Sequence, residues 1–294
     1  MTLRRTLSGL RNLHIFLRVD RIVYCEGGTQ LSIEDVLSGV GADATLDAMY
    51  WSGVSQWCGA ELQYHFKSVG SKSTLLSIAD DAEAMSLDTV IVCMDADFDR
   101  HTGALKRRAG VVYSWGYSWE NDVVTAEALH GVLASLLPKD YLSQIEVAQL
   151  HQQLELSCFE LERAVEIDLN LVARGKPALF VRSSPLSLHT VTKVSTKLDR
   201  SKLNGRLGVL GYRCSPPRRL RLARSDVWRN GFGKMLARVA YSLVICCAKR
   251  RDANINMSFD IFMRLCISQT IEGMTNGRCR ALGDYHEPHR ETFK

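Results

Sequence analysis

Apolar residues along the chain fall into short continuous runs and longer stretches that recur every three to four positions, and the two kinds alternate through residues 1–137. Residues 22–26, IVYCE, are an apolar run ending in an acid and followed by two glycines, the pattern of a buried parallel strand and a turn. A helix is expected over about 45–57, and residues 62–69, LQYHFKSV, alternate as a second strand that Gly70 breaks. Ser71 to Ser73 then cap a helix to about Met85, with Leu75, Leu76, Ile78 and Ala79 on its inner face. The run 89–94, TVIVCM, is continuous and β-branched, as in a central strand covered on both faces, and Asp95 follows it directly. A fourth strand, VVYSW at 111–115, precedes a helix over 119–137 closed by Pro138. This alternation predicts an α/β domain, Rossmann-like, with a mostly parallel four-stranded sheet and helices on both faces.

Beyond Pro138 the pattern changes. Residues 140–173 are strongly helical, with Leu142, Ile145, Leu150, Leu154, Leu161, Val165, Leu169 and Val172 near a 3.6 period. The stretch 176–224 reads as irregular and basic, and two apolar helices follow at about 232–249 and 257–272. The expected organisation is therefore an α/β domain over 1–137 and a mainly helical, basic domain over 138–294.

Composition narrows the class. A hydrophobic share of 46% with 23% charged residues suits a globular protein with a proper core, and no apolar run reaches the ~18 residues of a membrane span. A cytoplasmic protein with no membrane partner is expected. The nine cysteines include no CxxC pair, which points to reduced thiols and away from a disulfide framework or zinc ribbon. Cys266, Cys279, His286 and His289 match no standard zinc spacing. The net charge is only +5, yet Arg200, Lys202, Arg206, Arg213, Arg218, Arg219, Arg221 and Arg224 run together with no acid between Asp199 and Asp226. Arg206, Arg213, Arg218, Arg219, Arg221 and Arg224, with Tyr212 and Trp228 interleaved, are the candidate nucleic-acid contacts; the alternative is a solvated basic surface.

The candidate chemistry sits at strand ends. Glu26 closes the first strand, and Asp95, Asp97 and Asp99 of MDADFDR follow the third, where a parallel sheet collects its ligands. Carboxylates gathered there repel unless a cation neutralises them, and oxygen ligands select Mg2+ or Mn2+. The chain is expected to turn after Asp95 so that Asp97 can face the same ion. GSKST at 70–74 is not a Walker motif, because Ser71 stands where glycine belongs, so ATP hydrolysis is not expected. Lys72 is either a phosphate contact at a helix N-terminus or a solvated turn lysine. Glu120, beside Asn121, is either a further metal ligand or a helix N-terminal acid. His101 reads as a surface histidine.

An acid-glycine turn after the first strand, with DxD about seventy residues downstream and helices between, resembles the Toprim domain of topoisomerases, primases and OLD-type nucleases. IVYCEGGTQ, FKSVGSKSTL, VIVCMDADFDR and YSWGYSWEN together resemble the AriB-type Toprim effectors of PARIS anti-phage systems. The chain departs from the commoner pattern in having GGT after the glutamate, where an acid often stands. The resemblance implies that Glu26 supports proton transfer while Asp95 and Asp97 hold the divalent ion. It also implies phosphodiester hydrolysis directed at transfer RNA, restraint by an AriA-like ATPase of ABC/SMC type, and an active homodimer. Rival expectations are a Toprim DNA nuclease of OLD type, a primase or topoisomerase fragment, and a non-catalytic adaptor that binds an ATPase. No separate nucleophilic-tyrosine domain or zinc module is evident for the primase or topoisomerase reading, and the intact acids argue against the adaptor.

Overall fold

The computed structural model describes residues 8–28, 31–32, 35–36, 44–137, 144–192, 196–212, 223 and 226–294. Two compact units interleave along the described chain, one drawn from 1–96, 105–115 and 271–294 and the other from 97–104 and 116–270. The sequence alone suggested one boundary near Pro138.

The first unit holds a four-stranded sheet flanked by helices, all-parallel where a mostly parallel one was expected. Its strands are β1 (Arg21–Cys25), β2 (Tyr64–Ser68), β3 (Val90–Met94) and β4 (Val111–Tyr113), in the order β2-β1-β3-β4. Every residue of β3 is buried, as a β-branched run covered on both faces requires. The chain leaves β1 outward to β2, returns across it to β3, and continues outward to β4. The order thus reverses between β1 and β3, and that crevice beyond the carboxyl ends is the topological switch point where open α/β sheets bind ligands.

Caps fix the helices that frame this edge. Thr45 Oγ1 accepts from the Ala48 N–H (3.1 Å) ahead of the helix Leu46–Trp57, and Ser71 Oγ accepts from the Thr74 N–H (3.3 Å) ahead of Lys72–Ala84. Leu75, Ile78 and Ala79 of the second helix pack with Ile22, Tyr24, Val90 and Val92 into one core. A helix at Ser8–Leu17 and another at Arg280–His286 complete the unit; neither was expected. The C-terminal segment ties back through Arg21 Nη1 to Thr292 O (2.7 Å), Tyr285 OH to Tyr113 O (3.1 Å) and the fully buried Phe293.

The second unit is mainly helical. The helix Gly233–Lys249 packs on Gln144–Val172 and on Ala126–Leu136, and most of its apolar side chains, Met235, Leu236, Val239 and Leu243 among them, are buried within the unit. Two expectations are corrected here. The single helix over 119–137 is two, Trp119–Val123 and Ala126–Leu136, because Thr125 starts a new one by accepting from the Ala128 N–H (3.2 Å). The stretch expected to be irregular contains an antiparallel hairpin, β5 (His189–Val191) with β6 (Thr196–Leu198), and the helix Arg200–Val209. Asp199 caps that helix, its Oδ1 accepting from Ser201 N (2.9 Å) and Lys202 N (3.1 Å). The eight described cysteines are all free. No helix among the described residues is long and apolar enough to cross a membrane.

Candidate active site

Glu26 follows β1 and Asp95 follows β3, so the two acids stand on either side of the switch point. The sheet register carries over into the turn: Glu26 N–H donates to Cys93 O (3.3 Å), and the Asp95 N–H donates to Glu26 Oε2 (3.3 Å). Lys72, the first residue of its helix, donates from Nζ to Asp95 O (2.8 Å). That bond makes Lys72 an anchor for the turn that presents Asp95. A further brace joins the two turns, with Gly70 N–H donating to Gly27 O (2.7 Å).

Gly27 has φ +109, and a Cβ there would collide with the carboxylate of Asp47. Asp47 therefore stands directly against the turn after Glu26, an acid the sequence reading missed. Its only signal was a place in the first turn of the helix Leu46–Trp57. Burial pushes the thiols of Cys25 and Cys93 well above the ordinary range, with Cys93 and then Asp47 adding to the shift at Cys25.

Asp97 belongs to the second unit. The turn expected after Asp95 was not needed to bring the two acids to one side, because an extended chain already keeps residues two apart on one face; the backbone nevertheless turns at Asp97, whose φ is 48. Its N–H donates to Tyr117 O (2.6 Å), and its Oδ1 lies 3.8 Å from Arg182 Nη2. Asp97, Asp99, Tyr117, Asp168, Phe180 and Arg182 line a pocket of about 180 Å³. Asp168 is 2% exposed, and its Oδ1 accepts from Leu179 N–H (2.6 Å). Burial pushes its carboxyl up to about 6 against the pull of the Leu179 and Phe180 amides, Arg182 and Arg206. Burial also raises the Tyr117 phenol, helped by the charge of Asp97 and opposed by Arg182.

Glu120 is buried in the first turn of Trp119–Val123, and burial raises its carboxyl despite a hydrogen bond from Ser118 and the charge of Lys234. Around it, Asn121 accepts from Ser118 N–H (3.0 Å) and donates to Gly231 O (2.9 Å), while Asp122 accepts from Gly116 N–H (2.6 Å). His101 is not a bare surface residue: its Nε2 meets Asn230 Oδ1 at 2.7 Å.

Of the basic candidates, Arg206 donates to Ala178 O (3.0 Å) and Leu179 O (3.4 Å), holding the loop over the pocket. Arg213, Arg218, Arg219, Arg221 and Arg224 lie outside the described residues. His286 Nε2 pairs with Tyr50 OH (3.2 Å). Among the described residues no three His, Cys, Asp or Glu side chains stand close enough to hold a metal by themselves, which covers the described acids and the Cys266–His289 pattern alike. The oxygen donors at the sheet edge fit the binding style of magnesium, which takes one or two carboxylates and completes its shell with water and substrate phosphate.

No family model matches the chain, and no curated protein matches it.

Proposed function

We propose that this chain is a divalent-metal-dependent phosphodiesterase of Toprim type, with Glu26, Asp95 and Asp97 as its acids and Mg2+ or Mn2+ as its cofactor. The observation that carries the reading is the pairing of Glu26 with Asp95 across the switch point of a parallel sheet, closed by the Asp95 N–H to Glu26 Oε2 hydrogen bond. Bound metal would polarise the scissile phosphate and stabilise the charge on the leaving oxygen. Asp95 would hold it from the β3 end, with Asp97 following two residues later along the chain. Glu26, half-buried, would accept the proton of the attacking water. Lys72, through Asp95 O, keeps that turn in place.

The resemblance to PARIS effectors extends the proposal to transfer RNA as substrate, cytoplasmic action, an AriA-like ATPase as restraining partner and a homodimer as the active form. Incubating purified protein with transfer RNA, single-stranded RNA and duplex DNA, each with magnesium, manganese or EDTA, tests it. Metal-dependent cleavage of RNA is the expected result. Cleavage of duplex DNA alone would give the OLD-type reading, and no cleavage of any substrate would overturn the enzyme.

A further inference from the structure

The pocket that Asp97 shares with Asp99, Asp168 and Arg182 has a size and a chemistry beyond what the hydrolytic reading needs. At about 180 Å³ it exceeds the roughly 150 Å³ that holds one benzene ring in a protein interior, and falls short of the roughly 300 Å³ where drug-sized sites begin. One six-membered ring fits. The rings around it form one aromatic cluster: Phe98 meets Tyr117 edge-on at 4.8 Å, Tyr117 meets Phe232 edge-on at 6.3 Å, and Phe180 stacks on Phe232 at 6.4 Å.

The polar groups are of both kinds. Arg182 only donates and the carboxylates of Asp97 and Asp99 accept, so together they suit a flat ligand with donors and acceptors on one edge. Cytosine offers an amine beside two acceptors, and uracil an N–H between two carbonyls. A free inorganic anion would gain Arg182 but meet three carboxylates, Asp97, Asp99 and Asp168. Asp168 acts from below as a positioning residue, fixing the 178–180 wall through the Leu179 N–H.

We infer that this pocket takes one pyrimidine base of a single-stranded RNA, unstacked from its neighbours, packed among aromatic rings and read by Arg182 and the carboxylates of Asp97 and Asp99. The inference rests on the nuclease reading for its substrate class, and supplies what an edge of acids lacks, a means of choosing which nucleotide is presented.

Binding is measured by fluorescence anisotropy in EDTA, where hydrolysis is stopped, with labelled oligo(U), oligo(C) and oligo(A) RNA of equal length. One pyrimidine strand should bind about tenfold or more tighter than oligo(A), the discrimination of one well-made base contact. Arg182→Gln should reduce the difference to within about twofold without lowering the melting temperature, since the Arg182 side chain is 73% exposed. Ala178→Phe, which fills the pocket from its wall, should do the same while Arg182 is intact. Equal binding of all three strands by the parent, or a preference that survives both variants, would overturn the inference. Cleavage assays on the same preparations separate the two claims: an enzyme that cuts RNA without base preference leaves the nuclease reading standing alone, and base-selective binding without cleavage leaves only the pocket.

Discussion

The backbone N–H of Asp95 donates to the carboxylate of Glu26 at 3.3 Å, across a gap of 69 residues in sequence. A carboxylate that accepts a backbone N–H is already oriented before any ligand arrives, and its second oxygen is aimed by the first. Sheet pairing of Cys25 with Cys93 brings the two turns together, so the register of the β1–β3 pair sets the geometry of the acids.

Glu26→Gln and Asp95→Asn should therefore remove cleavage by about a hundredfold or more while leaving the fold intact, because both amides keep the side-chain volume and the glutamine amide still offers an oxygen to the Asp95 N–H. Thermal melting in EDTA beside a cleavage assay checks this. Loss of activity together with a large fall in melting temperature would assign these residues a structural role.

Lys72→Met keeps the stem and removes the ammonium that caps Asp95 O. The lost charged hydrogen bond should cost about 1.5–3 kcal/mol, seen as a lower denaturant midpoint with an unchanged slope. A nucleotide-loop lysine would instead show lost ATP binding and no change in stability, and that pattern would refute the anchoring role.

Gly27→Ala meets two obstacles, a φ of +109 and the Asp47 carboxylate. The variant should be destabilised by at least about 1–3 kcal/mol from the backbone alone. Adding Asp47→Ala should return only the steric part. A fully restored double variant would show that the turn can relax, and full stability of the single one would contradict the close approach.

The strands were legible because β-branched runs at 22–25 and 90–94 must be covered on both faces, and their terminal acids stood out against them. What makes the acids neighbours is the strand order β2-β1-β3-β4, and no local pattern encodes which strand pairs with which. Asp168 was legible in principle. It falls in the apolar stripe with Leu161, Val165 and Val172 of the long helix, where an acid is either paired or functional. The hairpin at 189–198 left no trace because its strands are three residues each, too short to show an alternation. The C-terminal tie through Thr292 and Phe293 was hidden for a different reason: backbone carbonyls accept the bonds from Arg21 and Tyr64, and carbonyls carry no sequence signature.

Two buried groups give opposite slopes of stability with pH. The Asp168 carboxyl lies at about 6 folded against 3.8, so the folded state binds more protons between those values and stability falls as pH rises through that window. His189 lies at about 4 folded against 6.5 because burial and Lys202 oppose its charge, so its contribution is lost as pH falls from 6.5 towards 4. Asp168→Asn, which still accepts from Leu179 N–H, should be more stable than the parent above pH 6 by up to roughly 3 kcal/mol. The gain should shrink to nothing near pH 4. A gain independent of pH would mean that Asp168 is not held near neutrality.

Arginines of the basic stretch should separate into two classes when tested by salt. Arg206 donates to the carbonyls of Ala178 and Leu179, so Arg206→Ser should lower stability by about 1–3 kcal/mol. It should leave the salt dependence of RNA binding unchanged, because its donors face protein carbonyls. Arg218, Arg219 and Arg221 stand in a run with no acid for several residues on either side. If each holds a phosphate, each releases about 0.7 counterion from a single strand, and replacing all three by Ser should flatten the slope of log K against log salt by about 2. Melting temperature should not move. Anisotropy titrations across a salt series measure both slopes. An unchanged slope in the triple variant would take these arginines out of the RNA interface, whereas a slope that falls in Arg206→Ser would show that its guanidinium leaves the carbonyls when RNA binds.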